Sequence, residues 1–193
     1  MIANSSQEIF IAKYDQSGDL LWARQAGGIT GEASYDISRD SEGNILLAGY
    51  FHEFSFFGDT ISGDLSDSLI SRGNLDIFIA KFNVDGDLIW VTQAGGTEND
   101  IVFSVITGED NSVFLTGSFS GVISFGDTIS GNQQIDLTSI GNADFFVAKY
   151  DKTGEIEWVK QAGGVFTYSV PNYVSFCTGY SLCSDNMDNI YVT

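Results

Sequence analysis

Along "IFIAKY", residues 9 to 14, alternate positions sort into Phe10, Ala12 and Tyr14 on one side and Ile9, Ile11 and Lys13 on the other. Both sides are largely apolar, which predicts a β-strand covered on both faces rather than one with a solvent side. A second apolar stretch, "LLWARQA", follows across "QSGD", a hairpin turn in composition. Two more short segments come next, "ASYDISRD" (33–40) and "NILLAGYF" (44–51), joined by "SEG". Apolar residues never settle into helical spacing.

The pattern then recurs. Residues 9–28, 77–96 and 145–164 are three versions of one twenty-residue segment, identical at nine positions. Lys13, Lys81 and Lys149 stand 68 residues apart, as do Trp22, Trp90 and Trp158, and Gly28, Gly96 and Gly164. A fixed period signals units that cannot bury their apolar faces alone and must stack on neighbours. Each period reads as two hairpins, hence a four-stranded antiparallel sheet. A sandwich would leave each strand a polar face, and a parallel solenoid would use a shorter period.

The fold class that fits is all-β: β-propeller blades on a 68-residue repeat, forming a partial propeller or one segment of a larger one. The whole chain, 1–193, reads as one such segment. It comprises a half blade (9–28), two blades (33–96 and 100–164) and a second half blade (175–193). An insertion at 165–174 contains the single proline, Pro171, flanked by Tyr168 and Tyr173, and reads equally as a recognition loop or as cover over a blade end. The repeated tryptophan should lie flat on the next blade, burying on the order of 200 Å². The glycines should let the fourth strand turn towards the next blade.

Charge narrows the partners. With 26 acids against 8 bases the formal charge is −18, a field that repels phosphate backbones and anionic membranes. Neither nucleic acid binding nor membrane insertion is expected. No apolar run reaches the length of a membrane span, and the first ten residues lack the features of a signal peptide. Cys177 and Cys183, in an extended stretch, would lie about 20 Å apart and are expected as free thiols.

Candidate chemistry is sparse. "DQSGD" (15–19), "NVDGD" (83–87) and "DKTGE" (151–155) place oxygens at alternating positions, as calcium loops do, but lack a distal bidentate acid at a constant offset. They read as hairpin turns; no cofactor is called for, and calcium stays open. Asp59 and Asp127 occupy equivalent "FGDTISG" segments on different blades, too far apart to share acid and base work. The polar stretches after them, 64–76 and 132–144, read as solvated loops or a glycan-binding rim. His52 has no copy and no serine or metal partner in pattern, and "GYSLC" lacks the second glycine of a nucleophile elbow. No catalytic, cofactor-binding or metal residue is assigned.

"DIFIAKFNVDGDLIWVTQAGG", with "DNSVFLTGSFSGVISFGDTISG" downstream, resembles the bacterial SBBP family, named for its seven-bladed β-propeller repeat. The likeness covers the chain apart from 165–174. It implies an extracytoplasmic, cell-surface or secreted protein whose repeat carries no general enzymatic activity. A weaker likeness, in "YDKTGEIEW", is to the tryptophan-docking repeats of quinoprotein dehydrogenases and outer-membrane assembly propellers. The expectation is therefore a non-catalytic module whose partners are other blades of the same or a neighbouring chain, with an envelope protein or polysaccharide as ligand. The alternative is the propeller part of a hydrolase, lyase or quinoprotein-like enzyme whose active site lies outside this chain.

Overall fold

The computed structural model describes residues 8–28, 30–58, 67–126, 132–164, 177–185, 187 and 189–193. The candidate loop residues Tyr168, Pro171 and Tyr173, and Asp59 and Asp127, lie outside them. The chain is all-β, with antiparallel strands β1 (Ile9–Tyr14), β2 (Leu20–Gly28), β3 (Ala33–Arg39), β4 (Ile45–Phe57), β5 (Asp67–Phe82), β6 (Leu88–Gly96) and β7 (Asp100–Thr107). They continue as β8 (Val113–Phe119), β9 (Val122–Phe125), β10 (Ile135–Thr138), β11 (Asp144–Tyr150), β12 (Ile156–Ala162), β13 (Leu182–Ser184) and β14 (Ile190–Val192). Among the described residues no helix is long and apolar enough to cross a membrane.

Two four-stranded units emerge from the pairing. One is β3-β4-β5-β6 and the other β7-β8-β11-β12, each antiparallel throughout. The hairpins β1-β2 and β13-β14 are two-stranded pieces at either end. In the β11–β8 ladder Val147 faces Thr116 and Lys149 faces Phe114, and the equivalent Lys81 faces Leu46 in β5–β4.

Alternation decides which face each residue covers. In β4 and β5, Leu46, Ala48, Ile77 and Ile79 point to one core, shared with Val102, Leu115, Phe119 and Phe146 of the following unit. Their sequence neighbours Leu47, Phe78, Ala80 and Phe82 point to a second core with Ile9, Ile11 and Ala26 of the preceding hairpin. One sheet thus feeds two separate cores, as its doubly apolar strands require. Each fully buried Phe or Ile contributes about 1.5–3 kcal/mol.

The units are not separate sheets, which corrects the simplest reading of four strands per unit. Strands β4 and β5 run on past the unit as a long hairpin, with Phe54 opposite Ile70 and Phe57 opposite Asp67. Its outer part pairs with the end of β2, where Gly27 faces Phe56 and Gly28 faces Ser55. In the next period β9 and β10 form the same outward hairpin, and β9 pairs with the end of β6 through Gly96 and Ile123. Residues 67–76 and 135–138, read as polar loops, are strands whose alternate exposed residues disguised them. The chain kinks where each extension begins, at Glu53 (φ 57°) and its equivalent Gly121 (φ 64°).

That pairing explains the repeated glycines, and the reason differs from the expected turn. Gly28 and Gly96 lie inside strands. A β-carbon on Gly28 would sit 1.7 Å from the Phe54 carbonyl oxygen, and one on Gly96 the same distance from that of Val122. Close approach of the next unit's backbone imposes glycine here. Gly164, with no described strand across it, has nothing within 4 Å.

Candidate binding surface

The tryptophans reach across the unit boundaries. The Trp22 indole N–H donates to the Val84 carbonyl (3.1 Å), in the turn of the following unit, and Trp90 donates to the Lys152 carbonyl (3.2 Å) one unit on. The ring lies against a glycine in each case. A β-carbon on Gly86 would stand 3.0 Å from the Trp22 ring, and one on Gly154 3.1 Å from that of Trp90. Both glycines have positive φ, at 84° and 90°, so the turn and the ring demand the same residue. Among the described residues no turn lies over Trp158. The ring lines an open hollow of about 440 Å³ with Asp110, Ser112, Phe114, Lys149, Asn189 and Ile190.

The hairpin turns, two of which lie beneath these rings, are built by their first side chain. Asp15 Oδ1 accepts the N–H groups of Ser17 and Asp19, Asn83 Oδ1 those of Asp85 and Asp87, and Asp151 Oδ1 those of Thr153 and Glu155. These oxygens act as acceptors for the backbone, and the neutral Asn83 serves as well as an aspartate. Among the described residues no group of three or more metal-ligating side chains is gathered. Cys177 and Cys183 are free thiols.

The lysines divide by environment. Lys81 is buried in an ion pair with Asp40 at 2.9 Å, and Lys149 pairs with Glu157 at 2.9 Å and Asp110 at 3.7 Å. Burial pushes the Asp40 carboxyl up, but hydrogen bonds from Lys81 and Asn44 outweigh it and hold it below the usual range. Lys13 is exposed and donates to the Val84 carbonyl (2.9 Å), with no carboxylate at ion-pair distance among the described residues.

Behind the glycines lies a set of buried carboxylates that the sequence reading passed over. Asp76 and Asp144 sit over Gly95 and Gly163, Asp144 accepting the Ile140 and Gly141 N–H groups and Asp76 that of Arg72. Glu32 and its equivalent Asp100 occupy the same region of successive junctions. Asp100 Oδ2 accepts the Gly96 N–H at 2.7 Å, while its Oδ1 is unpartnered. Burial first, then the charge of Asp76, raises Asp100 to about 7; burial raises Asp76 to about 6 and Glu32 to about 7. Asp76 and Asp100 have no exposed surface, so these groups serve the junction rather than a dissolved substrate.

A row of aromatic rings lies at the first strands. Asp36 on β3 accepts from Ser104 Oγ and the Val105 N–H, both at 2.9 Å, and Ser104 Oγ accepts from the Leu182 N–H at 3.3 Å. The first strands of three successive units are therefore laced side by side. Each of the first two has a β-bulge, between Ser34 and Asp36 and between Val102 and Ser104. The extra residues are Tyr35 and Phe103, thrown out of the ladder. Tyr180 is their equivalent one unit later, the insertion around 165–174 having displaced the repeat by nine residues. Ring centroids are 5.3 Å apart from Tyr35 to Phe103 and 5.2 Å from Phe103 to Tyr180, and Tyr50 extends the row at 5.7 Å. Tyr35 and Tyr180 are exposed. A period-68 search for aromatics would have found the first two; the insertion hides the third.

No family model matches the chain. It is similar to an uncharacterized WD repeat-containing protein of Acanthamoeba polyphaga mimivirus, 23% identical over 98% of this chain and 14% of that protein. It is also similar to the regulatory protein FlaEY of Caulobacter vibrioides, 24% identical over 57% of this chain and 11% of that protein. The chain thus spans about a seventh or less of the length of these relatives.

Proposed function

We propose that the chain is a run of β-propeller-type repeats, of the SBBP kind, acting as a non-catalytic binding module in a cell-surface or secreted bacterial protein. Its first strands line the hub, and the bulge aromatics offer a row of mutually tilted rings to a ligand, with Tyr35 and Tyr180 exposed. The face-to-face packing of β1-β2, β3–β6 and β7–β12, and the lacing of the first strands β3, β7 and β13, support the radial arrangement. The name of the mimivirus relative, a WD repeat protein, belongs to the same architecture. The observation that carries the binding role is the row Tyr35–Phe103–Tyr180 with its centroid spacing of 5.2–5.3 Å. Exposed rings in a line suit a neutral polysaccharide, whose pyranose faces stack on them, and the −18 charge disfavours anionic polymers. An array of neutral and acidic glycans, probed with the wild type and with Tyr35→Ser/Tyr180→Ser, tests this. Binding confined to neutral glycans and weakened about tenfold or more in the variant is expected, as for loss of stacked rings. Retention by an acidic glycan alone, or undiminished binding by the variant, would refute the role of the row.

A further inference from the structure

Carboxyl groups from two neighbouring units meet at a buried pair of glycines. Asp76 lies on β5 of one unit and Asp100 opens β7 of the next, and the residues just before them, Leu75 and Asn99, form a parallel bridge. A β-carbon on Gly95 would stand 2.1 Å from Asp76 Oδ2 and 2.6 Å from its Oδ1, while Asp100 Oδ2 accepts the N–H of the adjoining Gly96 at 2.7 Å. Both carboxyls therefore press on the Gly95–Gly96 peptide. Neither has exposed surface, and in each the Oδ1 atom has no hydrogen-bond partner. A bare acceptor on either side of a dry junction is costly, and one proton between the two carboxyls satisfies both.

The arrangement recurs. Glu8 and Glu32 are the copies 68 residues earlier, again one from each side of a junction, and Glu8 Cγ and Glu32 Oε2 lie 3.3 and 3.4 Å from the place of a β-carbon on Gly27. Glu32 is buried and raised to about 7, by burial first and by the Glu8 charge as well. Asp144, the next copy of Asp76, has both oxygens taken within its own unit, by the Ile140 and Gly141 N–H groups and the Gln161 amide. In the unit before, the equivalent Gln93 donates to the Ile70 carbonyl instead, and Asp76 Oδ1 stays bare.

We propose that Asp76 and Asp100 share a single proton across the junction, a lock between neighbouring units that opens when the proton leaves. Asp100 carries the proton and the bare oxygen of Asp76 accepts it. Other groups act on the pair from the elements around it. The Arg72 N–H and charge lower Asp76, though the guanidinium itself is taken up by the carbonyls of Gly95, Ser124 and Gly126. The Gly96 and Ser120 N–H groups lower Asp100, and the charges of Asp76 and Glu98 raise it. Burial outweighs the lowering groups and leaves Asp100 at about 7 and Asp76 at about 6. From about pH 4 up to those values the closed junction holds protons that the open one releases, so each pH unit favours opening about tenfold per proton. Above about pH 7 two like charges lie buried with no proton between them. The lock rests on the packing of the units and not on ligand binding at the aromatic row.

Hydrogen exchange of the Gly96 amide, followed by NMR in the intact chain, reads the lock directly, because Asp100 accepts that N–H. Corrected for intrinsic rate, its opening constant should rise about a hundredfold or more from about pH 5 to about pH 7 and be insensitive to low urea, whereas amides of the central strands β4 and β8 should exchange through urea-sensitive unfolding. In Asp100→Asn the rise should shrink to about tenfold or less, since Asp76 alone still titrates. With carboxyl-labelled aspartate, Asp76→Asn should lower the Asp100 titration by about one pH unit or more. Far-UV circular dichroism matching the wild type shows that both variants fold. A flat Gly96 profile, exchange there as urea-sensitive as in the central strands, or an Asp100 titration unmoved by Asp76→Asn would overturn the proposal. Millimolar calcium that restored Gly96 protection at alkaline pH would overturn it too, by making a cation the bridge.

Discussion

Replacing Asp100 by asparagine should stabilise the protein at alkaline pH and not at acid pH. The carboxyl is completely buried, keeps one acceptor bond from the Gly96 N–H, and leaves its other oxygen unpartnered. Burial is the leading reason it titrates at about 7 rather than 3.8. Between those values the folded chain holds a proton that the unfolded chain has released. Stability is therefore full below about pH 4 and declines as pH rises through about 7. At about 1.36 kcal/mol per pH unit the interval corresponds to about 4 kcal/mol. Asparagine keeps an oxygen for Gly96 and has no charge to desolvate, but gives up a charge-assisted bond worth about 1 kcal/mol more than a neutral one. The net gain at about pH 8 is then about 2–3 kcal/mol, or about 5–10 °C in Tm for a chain of this size. Glu32, raised by its own burial, tilts both proteins alike, whereas Asp76 acts on Asp100 through its charge, so the difference between the proteins reports Asp100 together with that coupling. Thermal melts of both at about pH 4.5 and 8 make the measurement. A variant no more stable at the higher pH, or equally stabilised at both, would show that burial of this charge does not set the slope.

Other substitutions separate the repeated positions. Gly96→Ala should cost more than about 2 kcal/mol in chemical denaturation because its methyl meets the Val122 carbonyl, whereas Gly164→Ala should be neutral. Lys81→Ala should cost about 3–5 kcal/mol at neutral pH by stranding Asp40 in the core, and the paired Lys81→Met/Asp40→Asn much less, compared by urea titration. Glu53→Gly should raise stability by about 0.5–1 kcal/mol, since its backbone already takes the conformation that Gly121 adopts at no steric cost. Trp90→Ala should destabilise by about 3–5 kcal/mol as the ring over Gly154 is lost, read from the urea midpoint.

Much of the architecture was legible in the residues. Alternation in "IFIAKY" named the two faces of a strand, and the 68-residue interval located its copies and the tryptophans that cross to the next unit. The outward hairpin was not legible. Residues 67–76 alternate Ser, Ile, Arg and Asn with little apolar content, because that part of β5 pairs by its backbone while much of its surface faces solvent. Nor was the aromatic row, since a bulge reverses the facing that simple alternation assigns to Tyr35 and Phe103.

By itself the sequence determined that the chain folds as repeated antiparallel strands with two apolar faces, because side-chain alternation and turn chemistry are local properties. Which faces are covered was decided only in three dimensions. Phe10 and Phe78 occupy the same place in the same pattern, yet one is exposed and the other buried. Burial depends on the neighbouring sheet, and the same is true of Gly28, Gly96 and Asp100: each meets backbone from another unit, which no single copy of the repeat encodes.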